Sequence, residues 1–217
     1  MDGIQTPNPT PPTITPLRWP FLIGSIGHFL AAGVSIPYGV MALLFVPFPG
    51  VLAGWWYLSV LLSMGLLLQS FTFYGIWRGY RSRIGAYSFG AGFVAALSFL
   101  VLGFAARLAC DVSTWYCYRT AGFGLDFFIL SIVLLGIASI LEGLAIWTIR
   151  GFTEVPHDAF AASVMYCIAG AFFLSIALAF FGGFFALAAA LIAGGVVLRK
   201  APVFPAVAAP APTLRPA

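Results

Sequence analysis

Long apolar runs separated by short, charge-bearing segments dominate this chain and leave few folds open to it. The runs extend over 21–46, 51–77, 85–106, 127–149 and 159–198, and Glu142 is the one acid and His28 the one histidine inside any of them. Crossing a bilayer core of roughly 30 Å takes about 20 helical residues, so each run is long enough to span. A soluble domain could not bury so much apolar surface: charged residues are 7% of this sequence, against about 25% in an ordinary soluble domain. The sequence therefore predicts an all-α fold, a polytopic transmembrane helical bundle.

The number of spans turns on the last run. A single helix over 159–198 would be roughly 60 Å long at 1.5 Å per residue, about twice the bilayer core. Gly182-Gly183 stands where a turn is needed. Six spans are expected, at about 21–46, 51–77, 85–106, 127–149, 159–180 and 184–199, within a membrane domain over 17–200. The tails over 1–16 (Pro/Thr-rich) and 201–217 (Pro/Ala-rich) read as disordered, because such composition cannot pack a core. The first run is about twice as long as a leader's apolar core and is read as a retained helix, with Arg18 and Trp19 as its interfacial anchor.

Arg78, Arg81 and Arg83 form the densest basic cluster. An excess of Lys and Arg marks cytoplasmic loops, so this loop is placed in the cytoplasm. An even number of spans then puts both termini there, together with Arg199 and Lys200. A cell-membrane location is expected, with the lipid bilayer as the first partner. The net charge of +4 reflects these anchors at headgroup level and not a nucleic-acid surface.

Three features carry candidate chemistry. Cys110 and Cys117 lie in the loop between spans three and four. The topology puts that loop outside, where disulfides persist, and the short spacing allows a bridge. Cys167, alone in the fifth span, reads as a small packing residue. The second feature is a matched depth. His28 lies eight residues after Pro20, Gln69 eight before Trp77 and Glu142 eight before Arg150, which places all three roughly 12 Å from the cytoplasmic edge. Tyr166 falls near the same level. Ionisable groups at such depth are costly unless paired, so they face the bundle interior. These four residues are the candidate polar cluster, acting as a binding or relay site or as hydrogen-bonded glue. Small-residue stripes at Ser88, Gly92 and Ala96, and at Ala186, Ala190 and Gly194, read as helix-contact faces. Asp126 and Asp158 read as helix-start residues.

Other chemistry finds no support in the sequence. A membrane haem needs two axial histidines at one depth, whereas His157 lies in a loop. Metal-ligand spacing, HExxH, GxSxG and the Walker motif do not occur. No cofactor and no metal are expected, and the protein is not read as an enzyme. The function expected is that of a structural or assembly subunit, packing with itself or with other membrane subunits. The alternative is a small transporter or channel with a proton or cation relay through Glu142 and His28.

Overall fold

The computed structural model describes residues 19–45, 56–111, 116–117, 121–153, 155–175 and 178–199. Both tails, Lys200 and the turn at Pro47–Gly50 lie outside the described residues, as do the side chains of Cys110, Cys117 and Arg199.

Among the described residues six long helices are formed: α1 (Trp19–Phe45), α2 (Trp56–Tyr80), α3 (Arg83–Ala109), α4 (Ala121–Ile149), α5 (Pro156–Leu174) and α6 (Ala179–Arg199). All six are long and apolar enough to cross a membrane. Their outward faces are apolar too. Ile26, Phe29, Phe93, Val101, Leu144 and Leu191 are exposed around the bundle, a surface that suits lipid and not water. These features are those of a multi-pass membrane protein.

Two boundaries differ from the sequence expectation. The turn between the last two helices falls at Ser175–Leu178, and Gly182 and Gly183 lie inside α6. Serine supplies that turn: Ser175 Oγ donates to the Phe172 carbonyl at 2.7 Å and accepts from the Leu178 amide at 3.3 Å. Gly182 instead lets α6 lie against the Ala169 carbonyl and the Phe173 ring, where a Cβ would not fit. The start of α4 is the second difference. It begins at Ala121, so Asp126 lies beyond the first turn and does not cap the helix. Asp158 does stand in the first turn of α5, behind Pro156 at the helix start, where a carboxylate meets the positive end of the helix dipole.

Each helix packs on its neighbours in sequence, and α6 returns to pack on α1. The result is a closed ring of six helices in which consecutive members run antiparallel. Down the α1–α2 seam, Gly24 meets Thr72, Gly27 meets Gln69, and Ala31 meets Gly65, one index rising as the other falls. On the opposite side, Gly136 meets Gly170 and Gly143 meets Ser163 across α4 and α5. Glycine lets these backbones approach closely, a main source of helix association where lipid removes the hydrophobic drive. A Cβ at Gly27 would collide with the α2 backbone at Leu68 and Gln69.

Serines bolt four of the six seams. Ser63 Oγ donates to the Ala96 carbonyl at 2.6 Å, Ser88 Oγ to Leu141 at 2.7 Å, Ser163 Oγ to Gly143 at 2.7 Å and Ser25 Oγ to Gly194 at 3.1 Å. The Ser88–Gly92–Ala96 stripe is thus a contact face, with Gly92 set against Ser70 and Glu142.

Because six helices alternate, the start of α1 and the end of α6 share one end of the ring. Arg78, Arg81, Arg83 and Arg150 join them there. The α2–α3 link is only Arg81 and Ser82. Arg81 takes a left-handed backbone with φ of 52°, uncommon for a residue with a side chain, and Ser82 Oγ accepts the Gly85 amide at 3.3 Å. Aromatic rings ride at the same end. Trp19 packs on Phe71 and Tyr74, and the Arg150 guanidinium lies 3.9 Å from the centre of the Trp147 ring. This is the arrangement of a membrane-interface belt.

Beyond α3 the chain makes a two-residue antiparallel bridge, β1 (Cys110–Asp111) with β2 (Tyr116–Cys117), and its register sets Cys110 opposite Cys117.

Candidate functional site

The closed ring has an axis, and what lies along it changes from one end to the other. Near the Arg end it is filled: Phe21, Phe73, Ile76, Ile146, Ile149 and Val196 form one buried apolar cluster. In the other half it is hollow. A cavity of about 360 Å³ lies there, at the small end of the roughly 300–1,000 Å³ typical of ligand pockets.

The floor of the cavity is polar. Gln69, Glu142 and Tyr166 line it at the level where the filled half begins. Above them the wall is apolar or small. Ala31, Ala32 and Ser35 come from α1, and Gly183, Ala186 and Ala190 from α6. Leu62, Leu66, Phe99, Ile132 and Phe173 close the wall from the other helices. The far rim carries Gly39, Phe128 and Phe180.

Every helix contributes to the cross-section that carries the floor. Gly27 and Gln69 meet across α1 and α2, Gly92 of α3 lies against Glu142, and Gly143 lies against Cys167 next to Tyr166. Gly194 of α6 packs on the His28 Cβ. The small residues draw six helices together here, which lets polar side chains of moderate length reach one another across the ring.

Two hydrogen bonds organise the layer. Gln69 Nε2 donates to Glu142 Oε2 at 2.6 Å. His28 Nδ1 and the Tyr166 hydroxyl are 2.8 Å apart, and the Tyr166 ring tilts against the His28 ring. His28 is fully buried and Glu142 is 3% exposed. The four residues singled out by depth are therefore brought together as two pairs, and Glu142 takes its bond from Gln69 and not from His28. Glu142 Oε1 has no hydrogen-bond partner among the described residues, nor has the Gln69 carbonyl oxygen, and Glu142 makes no ion pair there. His28 Nε2 is buried without a partner.

The cavity itself was not foreseen. The α6 stripe of Ala186, Ala190 and Gly194 was expected to receive another helix. Gly194 does, but Ala186 and Ala190 line the cavity. Ser139 also lines it and carried no sequence signal. A sequence shows which side chains are small, but not whether a neighbour fills the room they leave. Of the other candidate residues, Arg78, Arg81 and Arg83 are remote from the cavity. His157 is exposed, and Cys167 packs half-buried against Gly143. No group of three metal-ligating side chains occurs among the described residues.

The cysteine bridge point is defined by backbone. Residues directly opposite in an antiparallel pair have Cα atoms about 4.5–5.5 Å apart, inside the span of a disulfide.

No family model matches the chain, and neither a curated protein nor a solved structure does.

Proposed function

We propose that this is a multi-pass protein of the cell membrane that binds a small molecule inside its helical ring, head down on the Gln69–Glu142–Tyr166 floor. The observation that carries this reading is the cavity with an acid at its base, lined by all six helices. A subunit serving only to pack against others has no use for such a space, since its wall forgoes dispersion contacts on one side. A continuous proton or cation relay is the weaker reading, because Phe21, Phe73, Ile76 and Ile146 fill the ring beyond His28. Release toward the Arg end would require those rings to move.

The positive-inside rule sets the orientation in this proposal. The Arg end and both termini are cytoplasmic, so the cavity faces the opposite leaflet. Cys110 and Cys117, on the far loop, then meet oxidising surroundings and form a disulfide. Reporter fusions at the C-terminus check the orientation, and an external reporter would reverse it. Binding is tested by equilibrium dialysis of phenylbutyl probes against the protein in phosphatidylcholine nanodiscs, with empty nanodiscs subtracted. One saturable site per chain is expected, abolished by Ala186→Trp, which fills the cavity. If no probe bound saturably, or if the tryptophan changed nothing, the reading would fail.

A further inference from the structure

Glu142 is an acid without a base. Its Oε2 is held by Gln69, its Oε1 lies toward Gly92 of α3 with no hydrogen-bond partner among the described residues, and the residue lines the cavity. No Lys, Arg or His lines the cavity. The nearest basic side chain in the layer, His28, spends its Nδ1 on Tyr166; Arg78, Arg81, Arg83 and Arg150 stand at the end of the ring beyond the filled half, and Arg107, in the last turn of α3 at the opposite end, does not line the cavity. At the floor the ionised Glu142 carboxylate and the Gln69 side-chain oxygen are acceptors, while the Tyr38 hydroxyl, on the wall, is buried without a partner. The Ser35 hydroxyl higher on the wall already donates to the Ala32 carbonyl at 2.8 Å, so it offers only lone pairs.

A buried carboxylate is tolerable when a cation and hydrogen-bond donors meet it. Among the described residues Glu142 receives one donor, from Gln69, and no cation. An incoming ammonium group would supply the charge and two or three donors at once, matching the acceptors left over on the floor. The wall above is mostly apolar, built largely from alanine, leucine, isoleucine and phenylalanine with Ser35, Tyr38 and Ser139 among them, and fits a hydrocarbon or aryl body. A carboxylate-headed ligand would meet Glu142 as a like charge, and a neutral hydroxyl would satisfy one acceptor and leave the charge unpaired.

We infer that the cavity takes an amine-headed amphiphile, its ammonium on the Glu142 carboxylate and Gln69 and its apolar body along α1 and α6. This rests on the ligand-binding reading above, and the test separates the two. Three probes of one shape are compared in phosphatidylcholine nanodiscs: 4-phenylbutylamine, 4-phenylbutanol and 4-phenylbutanoic acid. The amine should bind at least tenfold more tightly than the alcohol, with the acid weakest. Glu142→Gln should remove the amine's advantage over the alcohol, because the amide keeps its bond with Gln69 and the cavity keeps its shape while the charge is gone. Helical content and thermal unfolding of Glu142→Gln confirm that the ring is intact. Should that variant not fold, the order of the three probes on the parent protein decides by itself. If the alcohol or acid binds as well as the amine, or if Glu142→Gln leaves the order unchanged, the amine inference is overturned while the cavity reading stands. If none of the three binds saturably, both are overturned.

Discussion

The two halves of the ring are built from the same helices and differ in what those helices point at the axis. In the Arg-end half α1 offers Phe21, α2 offers Phe73 and Ile76, and α6 offers Val196 and Val197, all buried against one another. In the far half α1 offers Ala31, Ala32 and Ser35, and α6 offers Gly183, Ala186 and Ala190, around open space. Average composition hardly separates the halves. The size of a few inward side chains does, because six helices held at a fixed radius leave a hole wherever the axial residues are too short to meet. The polar layer sits at the junction, which makes it a lid on the packed half and a floor for the hollow one.

The largest expected contrast comes from truncation. Phe73→Ala should cost about 3–5 kcal/mol, as removal of a fully packed ring does. Leu66→Ala, at the cavity wall, should cost no more than about 2 kcal/mol, the low end for a buried leucine, because part of its surface already faces a void. Reversible unfolding in mixed micelles measures both. Equal losses from the two changes would mean that the halves are packed alike.

Enlargement should invert the pattern. Ala145→Trp, in the filled half where Ala145 is fully buried, should destabilise by at least about 1–3 kcal/mol through overpacking. Ala186→Trp has room to enter and should leave unfolding unchanged or raise its midpoint. A comparable drop for both would show that the cavity does not accept a side chain.

The polar layer should give a finer distinction. Gln69→Leu strips Glu142 of its donor and should cost about 1–3 kcal/mol, the penalty of an unsatisfied buried group. Glu142→Gln retains an oxygen that can accept from Gln69 and should stay within about 1 kcal/mol of the parent, near the average of about 0.6 kcal/mol measured for interhelical hydrogen bonds in membranes. A larger loss for Glu142→Gln than for Gln69→Leu would mean that the carboxylate has a partner other than the glutamine.

Some of this was legible in advance. Depth counting chose His28, Gln69, Glu142 and Tyr166, because α-helices convert residue number into height at a fixed rise, and height is most of what a membrane bundle needs. Their pairing was not legible, since two residues at one height meet only if their helices adjoin and face each other. The turn before α6 was misplaced for a related reason. Glycine permits a bend without requiring one, and inside a membrane an unbroken helix keeps its backbone bonded, so Ser175 made the turn and Gly182 became a packing notch.

The sequence by itself determined that the chain forms six apolar helices, where most of them lie, and that its basic residues gather at alternate loops. Those properties follow from runs of residues and from the need to satisfy every backbone bond within a span. Tertiary structure alone decided that the six helices close into a ring, that Glu142 answers to Gln69 while His28 answers to Tyr166, and that one half of the axis is left open. Closure depends on the sum of contacts around all six seams, set by glycines and serines scattered through the chain. A cavity is what those contacts fail to fill, and no local stretch of sequence specifies that.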